Sequence, residues 1–123
     1  METGGLGKTY KDGEDIIKQG DSGNCMYIIQ SGEVEVLRDD NGKEVRLALR
    51  KEGDFFGEMA LFSRELRSAT IRALGDARIL TVDRKNLLKS IQKDPSLAFR
   101  IIETLSKRVR DLSEEIAPYK LDK

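Results

Sequence analysis

The sequence predicts a mainly β domain followed by two helices. Turn signals recur at short intervals through the first two thirds of the chain, short apolar runs with strand-like alternation lie between them, and the apolar spacing becomes helical after Asp83. Many short strands with no helix between them favour an antiparallel sandwich or barrel over a βαβ fold. The 123 residues suffice for one such domain and are too few for two independent cores.

The strands are predicted from the apolar runs at residues 26–29, 34–36, 45–49, 69–73 and 79–82. Between and beside them lie six turn signals: Asp12-Gly13, Gly20-Asp21, Ser31-Gly32, Asn41-Gly42, Gly53-Asp54 and Gly75-Asp76. Asn41-Gly42 is the strongest of these, because both residue types tolerate the positive φ of a tight hairpin. We therefore expect a hairpin there and chain reversals at the other five. Cys25 and Tyr27 are interpreted as strand residues of the core.

Two helices are predicted after the last strand. The first covers residues 84–92, with Asp83 as its cap. The second begins at Asp94-Pro95, a capping residue followed by proline at the first helical position, and runs to about Ala117, where Pro118 ends it. Its apolar residues form an a/d seam that either packs on the domain's own barrel or pairs with a partner helix. The seam residues are Ile102, Leu105, Val109, Leu112 and Ile116.

Composition excludes several classes of protein. The chain has no histidine and a single cysteine, which excludes zinc enzymes, histidine-ligated haem sensors, Ser-His-Asp hydrolases and disulfide scaffolds. The 22 basic and 22 acidic residues balance, so no bulk charge favours nucleic acid or anionic lipid. No apolar run approaches the roughly 18 residues of a membrane span, and residues 1–7 read as a flexible segment with no signal-peptide core. We expect a cytoplasmic protein without enzymatic activity, metal or cofactor.

Residues 55–73, FFGEMALFSRELRSATIRA, carry the candidate site. Gly57 permits a tight turn or a close approach, and Glu58–Leu61 can form one helical turn whose free amides attract an anion. Arg67 enters a mostly buried sheet at its rim, where a guanidinium requires an anionic partner. Two partners fit the spacing. Either Glu58 forms a structural ion pair with Arg67, or Arg67 and the turn amides bind a phosphate while Glu58 accepts hydrogen bonds from hydroxyl groups.

These residues resemble a known family. FGEMAL, followed after a short connection from Phe62 by RSAT, resembles the phosphate-binding cassette of cyclic nucleotide-binding domains, and GEDIIKQGD and MYIIQSGEVEV look like the family's early strands. The resemblance runs from about Tyr10 to Ile116. It implies a double-stranded β-helix, or jelly-roll barrel, over residues 8–83 with a short phosphate-binding helix, and C-terminal helices over residues 84–117, which makes residues 8–123 one domain. It also implies a regulatory sensor domain, of the kind found in kinases and channels, whose C-terminal helices transmit binding.

The resemblance implies a role for each cassette residue. Glu58 would hold the ribose 2′-hydroxyl, and Arg67 would pair with the cyclic phosphate. Ser68 would place its hydroxyl on the phosphate or the base, and Gly57 would keep the turn open. The other residues of the implied site line the amide cradle or wall the base: Met59, Ala60, Leu61, Ala69, Leu47 and Leu49.

Two further positions are implied because the chain also resembles the bacterial catabolite activators of this family. Their base-contacting threonine-serine pair falls on Leu112 and Ser113, so Ser113 could reach the base and Leu112 offers only apolar capping. In the family a threonine after the cassette arginine favours cyclic GMP. The serine in this chain, Ser68, suits either base, and we expect cyclic AMP to be preferred over cyclic GMP.

Three expectations about partners remain. The first is a cyclic purine nucleotide, and the second is a homodimer formed through the helix at residues 95–117. No helix-turn-helix unit follows the long helix here, so we expect no direct nucleic-acid binding, and either a stand-alone sensor or the regulatory domain of a longer protein. The alternative to a receptor is a barrel that binds no ligand and serves as a dimerisation or docking module through the helical seam.

Overall fold

The computed structural model describes residues 6–121, with the side chains of residues 6–119. These residues form two compact units, the first ending at Leu87 and the second beginning at Leu88. Of the flexible segment predicted at residues 1–7, residues 1–5 lie outside the described part. Gly7 lies within it, and its amide donates a hydrogen bond of 2.8 Å to Gln30 Oε1.

The first unit is built on an antiparallel β-sheet, as the sequence predicts. Within the described residues β6 lies between β1 and β3, β3 lies between β6 and β4, β2 pairs with β6, and β5 pairs with β3. Every one of these pairings is antiparallel. The strands are β1 (Lys8–Tyr10), β2 (Asp15–Ile17), β3 (Cys25–Asp40), β4 (Lys43–Lys51), β5 (Phe55–Phe56) and β6 (Thr70–Asp83), and a 3₁₀ turn (Glu58–Leu61) follows β5.

The predicted hairpin at Asn41-Gly42 is confirmed. Asn41 has φ 56° and Gly42 has φ 83°. The flanking residues Asp40 and Lys43 are paired, so the loop between β3 and β4 has two residues. Positive φ at both loop positions gives the backbone twist that matches the two strands.

Two of the predicted chain reversals are wrong. Ser31-Gly32 lies inside β3, and Gly75-Asp76 lies inside β6, so that β3 and β6 each continue past their turn signal. The register between the two strands shifts on either side of Ser31, which is the behaviour of a β-bulge. Gly32 has φ 86°, and a side chain there would overlap the backbone of Asp76 and Ala77. The glycine therefore serves a close approach of two strands and does not reverse the chain.

The core of the first unit reaches the candidate site through Phe56. This residue is 4% exposed and directly precedes Gly57, so the turn at Gly57 starts from a fixed point of the core. The buried core cluster consists of Ile17, Ile29, Val34, Phe56, Ile71, Ala73, Ala77 and Ile79.

Both helix starts agree with the predicted caps. In α1 (Arg84–Lys93) the Asn86 amide donates to Asp83 Oδ1 at 2.8 Å, and in α2 (Ser96–Leu121) the Ser96 amide donates to Asp94 Oδ1 at 3.2 Å. No helix among the described residues is long and apolar enough to cross a membrane.

The predicted end of the second helix at Pro118 is wrong. Pro118 lies inside α2, which continues to Leu121. Proline removes one intrahelical hydrogen bond, to the carbonyl four residues earlier, which here belongs to Glu114. Because Glu114 is exposed, water can satisfy that carbonyl, and the last turn persists.

Candidate functional site

The site begins at a left-handed glycine. Gly57 has φ 76° and ψ 11° and caps the 3₁₀ turn Glu58–Leu61. A Cβ atom at this position would lie 2.9 Å from Arg67 Nη1, 3.1 Å from Ile17 Cδ1 and 3.3 Å from Tyr27 Cδ2. Glycine is therefore required here both for the backbone conformation and for space. Its small size allows the Arg67 guanidinium to lie against the backbone.

Arg67 is held by backbone carbonyls. Its Nη1 donates to the carbonyl of Gly57 and its Nη2 to the carbonyl of Cys25, both at 2.9 Å. The backbone is fixed as well, since the Arg67 amide donates to Asp21 O at 2.7 Å and its carbonyl accepts from the Gly20 amide at 2.8 Å. Main chain and side chain together place this half-buried guanidinium beside the turn.

The acceptors around Arg67 are neutral. Among the residues that the structure describes, Arg67 forms no ion pair with a carboxylate. The structural alternative that the spacing left open, an ion pair between Glu58 and Arg67, is therefore not found. A guanidinium has five N–H donors, of which the two carbonyls occupy two. The site holds a half-buried positive charge with hydrogen-bonding capacity to spare.

Arg72, five residues further along the chain, shows the opposite arrangement. Its Nε donates to Asp15 Oδ1 at 2.8 Å, and its two Nη atoms bind both carboxylate oxygens of Glu44 at 2.9 Å. These hydrogen bonds raise the pKa of Arg72 and lower that of the Glu44 carboxyl. Arg72 therefore links β2, β4 and β6, and two carboxylates of the protein neutralise its charge. The charge of Arg67 has no such partner among the described residues.

An aromatic pair lies under the Arg67 guanidinium. The Tyr27 ring stacks on Phe56 with centroids 5.2 Å apart and planes at 16°, and Arg67 Cζ lies 5.8 Å from the Tyr27 ring centroid. Burial, followed by a hydrogen bond with the Cys25 side chain, raises the pKa of the Tyr27 hydroxyl to about 12, while the charge of Arg67 acts in the opposite direction. Tyr27 and Cys25 were predicted to be core residues of a strand, and their contact with Arg67 was not predicted. The sequence carries no local signal for it, because the pairing of β3 with β5 brings Tyr27 beside Phe56.

The remaining cassette residues surround the turn. Met59 is 66% exposed, whereas Leu61 is buried at 6%. The Ala60 amide donates to Gly57 O over 3.3 Å, which is long for this kind of bond. Ser68 is exposed and Ala69 half-buried, and both precede β6, which begins at Thr70.

The predicted base-contacting residues lie apart from the turn in the sequence. Leu47 and Leu49, on β4, are 52% and 44% exposed. Leu112 and Ser113 are exposed residues of α2 and belong to the second unit. The structure therefore brings Gly57 and Arg67 into contact beside the turn, and the part played by Leu112 and Ser113 stays a prediction. No group of three or more metal-ligating side chains occurs in the described part of the chain.

Comparison with known proteins identifies the class. The model of the cyclic nucleotide-binding domain matches residues 7–94. The chain belongs to the cyclic nucleotide-binding domain family. Its cassette residues Gly57, Glu58 and Arg67 all lie within the matched range.

Two curated relatives carry regulatory names. The cyclic AMP receptor protein of Thermus thermophilus is 34% identical over 110 residues, which are 89% of this chain and 51% of the relative. A cAMP-dependent protein kinase regulatory subunit of Mucor circinelloides is 40% identical over 76 residues, 62% of this chain and 18% of the relative. The chain thus spans about half the length of the receptor protein and less of the kinase subunit.

Solved structures show the same fold. The catabolite activator protein of Thermus thermophilus has a TM-score of 0.81 at 33% identity, covering 92% of this chain and 54% of that protein. An EAL enzyme described in its cAMP-bound form has a TM-score of 0.63 at 31% identity, covering 93% of this chain and 31% of the enzyme. The cGMP-bound form of that enzyme has a TM-score of 0.63 at 33% identity, covering 84% of this chain and 27% of the enzyme. The antiparallel sheet with two C-terminal helices is therefore similar to that of the catabolite activator.

Proposed function

We propose that this domain is a non-enzymatic sensor that binds a cyclic purine mononucleotide, cyclic AMP in preference to cyclic GMP. The observation that carries the proposal is the Arg67 guanidinium, which is half-buried beside a glycine-opened turn and has no carboxylate partner among the described residues. A cyclic phosphate diester carries one negative charge and two free oxygens, which suits a planar fork of N–H donors. The relatives named as a cyclic AMP receptor and as regulatory subunits support the assignment.

Each cassette residue has a role in this proposal. Arg67 pairs with the cyclic phosphate, Glu58 accepts a hydrogen bond from the ribose 2′-hydroxyl, and Ser68 donates to the phosphate or the base. The amides of Ala60, Leu61 and Ala69 complete the cradle. The Ala60 amide gives up a 3.3 Å bond to make this contact, and a bond of that length is weak.

Apolar side chains are proposed to wall the base. Leu47 and Leu49 are exposed on β4, Leu112 and Ser113 are exposed on α2, and the proposal assigns each of them a contact with the base. The Ser68 hydroxyl can hydrogen-bond to either purine, so Ser68 alone does not set the proposed preference for cyclic AMP over cyclic GMP. The EAL enzyme is described in a cAMP-bound form and in a cGMP-bound form. Measuring the affinity of the present domain for both nucleotides side by side tests the proposed preference.

Binding is transmitted by the helices that follow Asp83. We propose that β3 and β6, each bent at a glycine within a long strand, close the sheet into a jelly-roll barrel, and that phosphate capture moves α1 and α2 over the base. A ligand drives this change only as far as it binds the closed arrangement more tightly than the open one. The proposal includes the cytoplasmic location predicted from the sequence.

A second candidate function, homodimerisation through the helix at residues 95–117, is favoured by the exposure of the α2 seam. Ile102 is 60% exposed, Val109 63%, Leu112 59% and Ile116 51%. Exposed apolar residues at a/d spacing fit a second helix of the same kind. Because two heptads alone are marginal in water, such a dimer requires further contacts or the ligand.

Calorimetry with matched arginine variants tests the receptor function. Arg67→Ala should reduce the affinity for cyclic AMP by roughly 2–5 kcal/mol, because it removes one partner of a charge pair. Arg64→Ala is the control, since Arg64 is exposed, lies in the same connection and changes the net charge equally. Equal losses in the two variants, or full affinity in Arg67→Ala, would contradict the proposed role of Arg67. A wild-type protein that binds neither nucleotide would favour the ligand-free docking module.

A further inference from the structure

Among the described residues, the Arg67 guanidinium lies beside Gly23, Cys25, Tyr27 and Gly57, which we call the guanidinium socket. Cys25 and Gly57 contribute backbone carbonyls, Tyr27 contributes its ring, and Gly23 contributes space. We propose that Gly23 and Tyr27 are positioning residues that hold Arg67 in the orientation in which it meets a phosphate. This inference rests on the proposed function, since it assigns the phosphate contact to Arg67.

The Tyr27 ring has a fixed plane. Tyr27 on β3 is paired with Phe56 on β5, and the two rings stack at 5.2 Å. Cys25 and Tyr27 both lie on β3, and residues two apart on a strand share a face. The same short stretch of β3 thus supplies the carbonyl that accepts from Arg67 Nη2 and the ring that lies under the guanidinium. At 5.8 Å from the ring centroid, the Arg67 cation is within the range of a cation–π contact.

Gly23 leaves room for the guanidinium. A Cβ atom at Gly23 would overlap Arg67 Nε, Cζ and Nη2. Gly23 is not among the glycines with positive φ in the described chain, so its backbone admits alanine, and the requirement is for space alone. The overlapping atoms are the far end of a flexible side chain. An added methyl group would therefore displace the guanidinium and leave the backbone in place.

The socket fixes the orientation of the cation without cancelling its charge. A carboxylate would hold the guanidinium equally well but would compete with a phosphate for it. Two carbonyls and a ring face restrict the rotamers of Arg67 while its positive charge stays uncompensated. Pre-organisation of this kind strengthens binding because less side-chain freedom is lost when the ligand is bound.

The experiment first examines the arginine itself. The ¹⁵Nε–¹Hε NMR signal of Arg67, identified by its absence in Arg67→Ala, should show the upfield shift of a proton over a ring face. Tyr27→Phe keeps the ring and should keep that shift. Tyr27→Leu removes the ring and Gly23→Ala pushes the guanidinium away, so both should lose it. Asn24→Ala, at an exposed position next to Gly23, is the control and should leave the signal unchanged.

Calorimetry with cyclic AMP gives the second readout. Tyr27→Leu and Gly23→Ala should each weaken binding about 3- to 30-fold, the range expected for a lost cation–π contact. Tyr27→Phe and Asn24→Ala should stay within about twofold. In the Arg67→Ala background, Tyr27→Leu and Gly23→Ala should cause no further loss, because their effect acts through Arg67. Melting curves of all variants show whether each one is folded.

The possible outcomes separate the two proposals. An Arg67 signal that is unchanged in both Gly23→Ala and Tyr27→Leu overturns the socket, as does a loss of affinity that persists without Arg67. Gly23→Ala keeps the test decisive if Tyr27→Leu fails to fold, because it adds one methyl group outside the core. If the wild-type protein binds neither nucleotide, the proposed function fails, and the NMR signal still decides whether Gly23 and Tyr27 hold the guanidinium.

Discussion

Replacing Gly57 with alanine should impair nucleotide binding, whereas the matched change Gly53→Ala should affect the fold alone. Both glycines have positive φ, 76° at Gly57 and 88° at Gly53. An alanine in that region costs about 1–2 kcal/mol of stability at either position. The surroundings differ. A Cβ atom at Gly57 meets Arg67 Nη1 at 2.9 Å, and a Cβ atom at Gly53 meets nothing within 4 Å.

The size of each effect follows from these contacts. Gly53→Ala should lose about 1–2 kcal/mol of unfolding free energy through backbone strain. Gly57→Ala should lose that amount and a further 1–3 kcal/mol, because the methyl group also crowds Ile17 and Tyr27. Its methyl group also pushes on the hydrogen bond from Arg67 Nη1 to the Gly57 carbonyl. Loss of about 1–1.5 kcal/mol for that bond corresponds to a roughly five- to thirteenfold weaker affinity for cyclic AMP.

Urea unfolding and calorimetry of the two variants give both quantities. We expect a loss of stability in both variants and a loss of affinity for cyclic AMP in Gly57→Ala alone. Equal affinities in the two variants would refute the idea that Gly57 makes room for the guanidinium. A loss of affinity of the same size in Gly53→Ala would show that any strained turn in this part of the sheet disturbs binding.

Two further predictions concern the sheet and the second unit. The hydrogen bond from Arg72 lowers the pKa of the Glu44 carboxyl in the folded protein. The stability gained from this pair is therefore fully present above the ordinary carboxyl pKa of 4.5, and it is lost as the pH falls through the lower pKa of the folded protein. Glu44→Gln should therefore lower the melting temperature near pH 7 and flatten its decline in acid, while the exposed control Glu52→Gln should keep the wild-type profile. Val109→Asp should abolish self-association in sedimentation velocity, because it places a charge in the exposed seam of α2. The control Lys107→Asp alters the opposite side of the helix, and dissociation by both variants would contradict pairing through the seam.

Local chemistry explains why several elements could be predicted from the sequence. The hairpin at Asn41-Gly42 and the caps at Asp83 and Asp94 depend on residues within three positions of each other. Gly57 was expected to permit a tight turn or a close approach, and its φ of 76° and its contact with Arg67 show both. In the hairpin and the two caps the deciding residues are close in the sequence, so no knowledge of the sheet is required, whereas the partner that approaches Gly57 lies ten residues away.

The two wrong turn predictions have the same physical cause. Gly32 and Gly75 have φ of 86° and 69°, values that a turn glycine and a bulge glycine share. Whether such a glycine reverses the chain or forms a bulge depends on which strand lies beside it. At Gly32 the neighbouring strand is β6, through the backbone of Asp76 and Ala77. Pairing between residues more than 40 positions apart is a property of the sheet, and the residues around the glycine carry no signal for it.

Strand pairing also accounts for the difference between Arg67, which precedes β6, and Arg72, which lies within it. Arg67 and Arg72 lie five positions apart, and the sequence offers acidic residues to both. Arg72 is paired in register with Asp15 across β2 and β6, and this pairing puts a carboxylate against it. The corresponding contacts of Arg67 are with the carbonyls of Gly57 and Cys25, 10 and 42 residues away. Arg67, the proposed phosphate-binding cation, thus differs from the structural Arg72 in that no carboxylate among the described residues pairs with it. Glycines and main-chain carbonyls occur throughout the sequence, so the sequence does not show which arginine has only such neutral neighbours. The pairing of the strands shows it.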